Sequence, residues 1–347
     1  MKRSVLQSVT LLAISLTAAS LAARVVAASG PAIIHPARQI QCGCGDDECP
    51  TVVTGISISP DGRTIAAATD DHRVTLWDVE SCKIKGDFYS HADWVRSVVL
   101  SQDGRTLASG ASDRSLYLCD VNGETPASHL PACNNPIAAV CFHPNSQQLA
   151  VVGFSNSLRI INTSSGQVSQ ELDCPCSDVR CVTFSSDGAR MAVAGRNGKI
   201  RVWNVDSGAR ERDIEIDGRR IRALAFSPDG RRLAAAGNSQ AIQILDATTG
   251  KVAMTLSTRP AKVFSLVFIN NERVATGGTD NLIRIWDLNS RQAVSQLEGH
   301  TGTVAALACN PSGTMLVSGS YDTTVRIWDL SGRPPATAWR APNAAAR

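Results

Sequence analysis

The sequence predicts an all-β fold: a single seven-bladed β-propeller of four-stranded antiparallel blades, preceded by an N-terminal signal segment. Three observations lead there. Two short anchors recur in step seven times. The stretch between anchors reads as four short strands, and helix-period stretches are scarce after the first thirty residues.

In chain order, the first element is the N-terminus. Lys2 and Arg3 precede Val5 to Ala23, an apolar, small-residue run without an acidic side chain. Small residues follow, with cleavage expected between Ala22 and Ala28, the layout of a secretory signal peptide over residues 1–28. An uncleaved anchor is the alternative, since about 20 apolar residues can span a bilayer. Gln7, Ser8, Ser15 and Thr17 dilute the run and favour cleavage. The expected destination is a periplasm or the extracellular space, with no membrane insertion after cleavage.

Residues 29–50 form a second element carrying Cys42, Cys44 and Cys49 beside Asp46, Asp47 and Glu48. Three thiols and three carboxylates could hold a borderline metal, but the spacing fits no well-defined zinc pattern. A disulfide or plain loop is preferred in an exported chain, with a redox thiol as a further alternative. Cys49, Cys133, Cys174 and Cys176 are placed in equivalent inter-blade loops, where loop-to-loop bridges are conceivable. Cys119, Cys141, Cys181 and Cys309 fall on strands and are expected reduced. Eleven cysteines is an odd number, so at least one is free or pairs outside the chain.

The repeats occupy residues 51–340, with 341–347 left as a tail. One anchor is a turn: Ser59-Pro60-Asp61-Gly62, then its counterparts beginning at Ser101, His143, Ser185, Ser227, Ile269 and Asn310. The other ends a β-run: Trp77-Asp78, Cys119-Asp120, Ile161-Asn162, Trp203-Asn204, Leu245-Asp246, Trp286-Asp287 and Trp328-Asp329. Every step is 42 residues except one of 41. The short step comes from a deletion between Phe268 and Val274, in or beside a hairpin turn, where loops tolerate length changes. Each unit holds a strand, a Pro/Asp/Gly turn, a second strand, a polar turn, a β-branched strand ending at the Trp position, and a more polar fourth strand. Four strands in about 42 residues match one propeller blade.

On these anchors the chain resembles the WD-repeat β-propellers over roughly residues 33 to 340. The resemblance implies that a terminal segment completes the last blade. Ile33 to Ile40 and Ala336 to Trp339 compete for that place, and the N-terminal segment is slightly favoured. It also implies a buried hydrogen-bond relay of His, Ser or Thr, Asp and Trp within each blade. The seventh repeat carries the full set: His300, Ser318, Asp322 and Trp328. The second has His91, Ser109 and Asp113 with Cys119 for Trp; the sixth has Thr276, Asp280 and Trp286 with Arg259 for His; the first keeps Asp71 and Trp77, and the fourth Trp203 alone. A buried carboxylate must be paired, so these residues read as structural. A hydrolase needs one special constellation, not a decaying series.

Net charge is +3, from 34 Lys and Arg against 31 Asp and Glu, which offers no broad field for nucleic acid. Partners of WD-repeat propellers commonly bind the face bearing the His loop and the Asp turn. By register that rim displays Trp94, Phe154, Arg196, Arg220, Lys262, Thr303 and Tyr321. Asp70 and Asp93 mark blades 1 and 2, whereas Arg196, Arg219, Arg220, Arg259 and Lys262 mark blades 4 to 6. The expected function is a non-catalytic scaffold, monomeric as a fold unit, that binds a protein partner of unknown identity and needs no cofactor or metal. A propeller enzyme (hydrolase, lyase or redox) or a cofactor- or metal-binding propeller is the alternative. It would want acids and His converging on the channel, and the six His at 35, 72, 91, 129, 143 and 300 do not converge. A carbohydrate-binding propeller would want aromatics repeated blade by blade, and aromatics are 5% of the chain.

Overall fold

The computed structural model describes residues 31–42, 51–88, 91–123, 127–130, 133–176, 178–216 and 220–332. The signal segment, Cys44, Cys49, Arg219, Ala336 to Trp339 and the tail lie outside them. Two short strands come first, β1 (Ala32–Ile34) and β2 (Arg38–Gln41). Blade 1 is β3 (Val53–Ile58), β4 (Thr64–Thr69), β5 (Val74–Asp78) and β6 (Ile84–Phe88). Blade 2 is β7 (Val95–Leu100), β8 (Thr106–Ala111), β9 (Leu116–Asp120) and β10 (Ser128–Leu130). Blade 3 is β11 (Ile137–Phe142), β12 (Gln148–Gly153), β13 (Ser157–Asn162) and β14 (Val168–Asp173). Blade 4 is β15 (Val179–Phe184), β16 (Arg190–Gly195), β17 (Lys199–Asn204) and β18 (Arg210–Glu215). Blade 5 is β19 (Ile221–Phe226), β20 (Arg232–Gly237), β21 (Ala241–Asp246) and β22 (Val252–Ser257). Blade 6 is β23 (Val263–Phe268), β24 (Arg273–Gly278), β25 (Ile283–Asp287) and β26 (Gln292–Leu297). Blade 7 is β27 (Val304–Cys309), β28 (Met315–Ser320) and β29 (Thr324–Asp329), completed by β2.

Turn chemistry starts each blade. Ser59 Oγ donates to Asp61 Oδ1 (2.5 Å) and accepts Thr64 N–H (2.9 Å), while Gly62 takes φ +73°. The same serine–aspartate pair closes the turns at Ser101, Ser185 and Ser227. Where the deletion falls, Asn270 Oδ1 caps the shortened turn by accepting Glu272 N–H (2.9 Å) and Arg273 N–H (2.8 Å).

Blades are held together by one repeated contact. The first residue of each innermost strand (Val53, Val95, Ile137, Val179, Ile221, Val263 and Val304) is no more than 3% exposed. It meets a position near the end of the preceding blade's second strand, which is Ala or Gly in six of seven blades. The approach is close: a Cβ added at Gly319 would lie 2.4 Å from Val53 Cγ1, and one at Gly277 would lie 2.5 Å from Val304 Cγ1. A larger side chain there would drive the sheets apart.

The N-terminal segment supplies the fourth strand of blade 7. Strand β2 pairs antiparallel with β29 in the register Ile40↔Val325. Ile40 packs in one cluster with Val53, Trp77, Val317 and Val325, so it touches both the last and the first blade. Arg38 Nη1 reaches across to blade 1, donating to the carbonyls of Val79 and of Glu80 (2.7 Å to the latter). Strand β1 lies parallel to β26 and makes blade 6 five-stranded, so twelve residues strap three blades.

The relay in blade 7 is complete. Trp328 Nε1–H donates to Ser318 Oγ (2.9 Å), the Ser318 hydroxyl lies 2.7 Å from His300 Nε2, and His300 Nδ1 lies 2.8 Å from Asp322 Oδ2. A carboxylate can only accept, so Nδ1 carries the ring proton and Nε2 accepts from serine. In blade 2, His91 Nδ1 turns to Ser115 Oγ (2.7 Å), and Ser115 in turn donates to Asp113; Asp113 itself stays 3.5 Å from the ring. Ser109 Oγ still lies 2.8 Å from His91 Nε2, while buried Cys119 stands in the Trp place. In blade 6, Trp286 donates to Thr276 Oγ1 (2.9 Å), and Asp280 pairs with Arg284 (2.5 Å) in place of the missing His. Arg259, at the His position, is exposed. In blade 1, Trp77 is buried and Asp71 is held by Thr69 and Arg73 (3.3 Å to Arg73). Trp203, Ile161 and Leu245 are buried in blades 4, 3 and 5, where packing alone serves.

None of the nine described cysteines is bonded to another, which corrects the expectation of loop-to-loop bridges through Cys133, Cys174 and Cys176. Cys174 and Cys42 are buried, and burial pushes each thiol up to about 12, which keeps both protonated and unreactive.

Three outcomes are expected. Trp328→Ala removes a fully buried side chain and lowers stability by roughly 3–5 kcal/mol, read as a drop in Tm on the order of 10 °C; an unchanged Tm would contradict the relay's structural role. Ile40→Ala lowers the urea midpoint by the equivalent of about 2–5 kcal/mol, whereas an unmoved midpoint would show that β2 is not the clasp. The third concerns pH. Burial pushes both His300 and His91 below the ordinary imidazole range, against the pull of Asp322 and Asp113. Burial pushes the Asp322 carboxyl up, but hydrogen bonds from His300 and Thr324 hold it well below the usual carboxylate range. Depressed values of both kinds mean that the unfolded chain takes up protons first as pH falls. Stability is therefore full above about pH 6.5 and declines below it, with a further loss below about pH 4. A His91→Asn/His300→Asn variant should show a flatter decline between pH 7 and 5, and an equally steep one would contradict this.

Candidate functional site

Each innermost strand carries a β-bulge at its start. Register breaks between Val53 and Gly55, Val95 and Ser97, Ile137 and Ala139, Val179 and Cys181, Ile221 and Ala223, Val263 and Ser265, and Val304 and Ala306. The extra residue is Thr54, Arg96, Ala138, Arg180, Arg222, Phe264 or Ala305, and all seven line a central channel of about 270 Å³. A bulge re-aims a side chain out of the pleat. Here it sets one residue per blade around the channel, at the end where the inter-blade loops and Asp turns lie.

Three of the seven are arginines. Arg96 Nε donates to Ser112 Oγ (2.6 Å), Arg222 Nε donates to Asn238 Oδ1 (3.0 Å), and Arg180 pairs with Asp178. Their guanidinium groups stack on rings: Arg180 over Phe154 at 4.4 Å, Arg96 over the same ring at 5.4 Å, and Arg222 over Phe264 at 4.3 Å. Burial, then the charge of Arg180, lowers the pKa of Arg96, with Asp93 opposing. Burial, then Arg220 and Arg180, does the same to Arg222.

The rim residues expected from register differ in exposure, and none of them lines the channel itself. Trp94 is 49% exposed and Tyr321 47% exposed, and Arg96 of the same blade lies 5.9 Å over the Trp94 ring. Trp94, Phe154 and Arg96 line one wall of a cavity of about 430 Å³, together with Asp93, Ser112 and Pro136. Phe154 is half-buried under the two guanidinium groups and serves as their platform. Arg196 and Lys262 are exposed, and Arg220 is half-buried with φ +62°. Thr303 accepts Tyr321 N–H through its carbonyl (3.0 Å), tying the seventh loop to its turn. Asp70 is held in its loop, because its Oδ1 accepts Val52 N–H (2.8 Å).

Register by anchor residues located the rim but missed Arg180, Arg222, Arg96 and Phe264. Their signal was in the sequence: each follows the apolar residue that opens an innermost strand, at the same spacing of about 42 residues. The bulge that turns them inward breaks the two-residue alternation, and that break is a backbone event. As for metal chemistry, among the described residues no group of three or more His, Cys, Asp or Glu side chains is placed to hold an ion.

A family model described as Nucleolar protein 10-like, N-terminal domain, matches residues 44–323. The match takes in most of the ring and leaves out the β1–β2 strap and strand β29. It overturns the expected export to a periplasm or the extracellular space, and with it the membrane-anchored alternative, because a nucleolar protein is not exported. The run Val5 to Ala23 has the composition of a leader, but composition alone does not make it one, and it lies outside the described residues. The chain, matched over well more than half its length, belongs to the nucleolar protein 10-like family through that family's N-terminal β-propeller domain.

Proposed function

We propose that the chain is a non-catalytic scaffold that binds a protein partner through the loop-bearing face of its propeller. The observation that carries this reading is the rim itself. Trp94 and Tyr321 are large, about half exposed, and stand on the same face as Arg196, Arg220 and Lys262. Trp, Tyr and Arg are the residues that dominate interface hot spots. The residues that look catalytic, His300 with Ser318 and Asp322, are buried and used up in holding Trp328, which leaves them no access to a substrate. The family description takes the nucleolus as its setting, and that compartment is part of the proposal.

The test is a Trp94→Ala/Arg220→Ala/Tyr321→Ala variant, compared with the unaltered chain by affinity purification, crosslinking and mass spectrometry. The expected result is loss of the partner's crosslinks with an unchanged circular dichroism spectrum. Retention of the same crosslinks by the folded variant would refute this face.

A further inference from the structure

The bulge arginines carry more charge than their surroundings balance. Among the described residues, Arg180 alone of the three forms an ion pair, with Asp178; Arg96 and Arg222 are hydrogen-bonded to the neutral Ser112 and Asn238, and Asp93 near Arg96 and Asp178 near Arg222 offset the arginine charges only in part. Each of those two bonds uses Nε, and no described hydrogen bond uses the terminal nitrogens of Arg96 or Arg222. Each guanidinium group is also placed over a ring, Arg96 over Phe154 at 5.4 Å and Arg222 over Phe264 at 4.3 Å, which restricts its freedom. A guanidinium group stays charged at any ordinary pH, so the mutual repulsion among Arg96, Arg180 and Arg222 is relieved by a bound anion and not by loss of a proton.

We infer that the channel mouth between Arg96 and Arg222 is a carboxylate-binding site, which takes an acidic side chain from a peptide segment of the protein partner. This deepens the interaction face proposed above and rests on it. Chemistry supports the carboxylate: a guanidinium fork held at Nε, with its terminal nitrogens unused, matches two carboxylate oxygens and loses less freedom on binding than an unheld one. Surroundings support a peptide: Trp94, with Arg96 5.9 Å over its ring, is about half exposed, and so is Tyr321, and both offer area to residues flanking the acid.

A nucleic acid fits less well. It would track a basic groove and stack its bases on open aromatic faces. Here the bulge arginines converge on one opening, the net charge is only +3, and guanidinium groups cover the rings of Phe154 and Phe264.

The experiment is fluorescence anisotropy of labelled octapeptides of Glu, Gln and Lys, and of an oligouridine of equal length, titrated with the full chain. The Glu peptide is expected to bind at least about tenfold more tightly than the Gln or Lys peptide. The Arg96→Gln/Arg222→Gln variant should lose about tenfold or more of that affinity, while Arg96→Lys/Arg222→Lys, which keeps charge without the fork, should fall between. Circular dichroism checks that both variants are folded, and if the Gln variant is not, the Lys variant decides. No binding of the Glu peptide, equal binding of the Glu and Gln peptides, full affinity in the deciding variant, or tighter binding of oligouridine would each overturn the inference. Failure of the interaction face itself is read separately, from the partner's crosslinks on the Trp94, Arg220 and Tyr321 variant.

Discussion

The fold depends on how closely one sheet can approach the next. At every blade junction a β-branched residue that opens an innermost strand is pressed against the second strand of the blade before it. Fully burying such a side chain contributes about 1.5–3 kcal/mol, and the contact is made seven times. Small residues at Ala68, Gly110, Ala194, Ala236, Gly277 and Gly319 make it possible; Val152 is the exception. A lone four-stranded sheet could not hide these faces, whereas a ring in which each sheet covers its neighbour can. The junction from Gly319 to Val53 closes the ring, and there the chain adds a second device, strand β2 with Ile40 and Arg38.

Against that packing, the hydrogen-bond relay is a local refinement that each blade resolves in its own way. A buried carboxylate without a partner is costly, and a relay missing one member would leave one. Blade 7 keeps every member; blade 2 routes the histidine through Ser115; blade 6 substitutes Arg284 for the histidine. Blades 3 and 5 carry Ile161 and Leu245 in the Trp place and Ser155 and Ser239 in the Asp place, so they bury no relay carboxylate. Each blade thus pairs its relay carboxylate differently, and in blade 6 one oxygen, Asp280 Oδ1, is left without a hydrogen-bond partner.

The same register that packs the blades also builds the face. The bulge residue directly follows the residue that makes the junction, so rigid packing holds the channel-lining position from behind. Arginine occupies that position in blades 2, 4 and 5, and phenylalanine in blade 6, while blades 1, 3 and 7 have Thr54, Ala138 and Ala305. The channel is therefore polarised by residue choice at a single repeated position, and the exposed Trp94 and Tyr321 stand beside it.

By itself the sequence determined the blade count, the turn positions, the place of the deletion and the seventh-blade relay, because each is written in local residue types repeated at a fixed spacing. Tertiary structure alone decided that Ile40 rather than a later segment pairs with Val325, since two apolar segments of similar pattern suit the same edge. It decided that Phe154 is a platform under Arg96 and Arg180, because stacking joins residues of three different blades. It decided, too, that Arg96, Arg180 and Arg222 share one opening: residues 42 apart come together only when the ring has closed and the bulges have turned them inward.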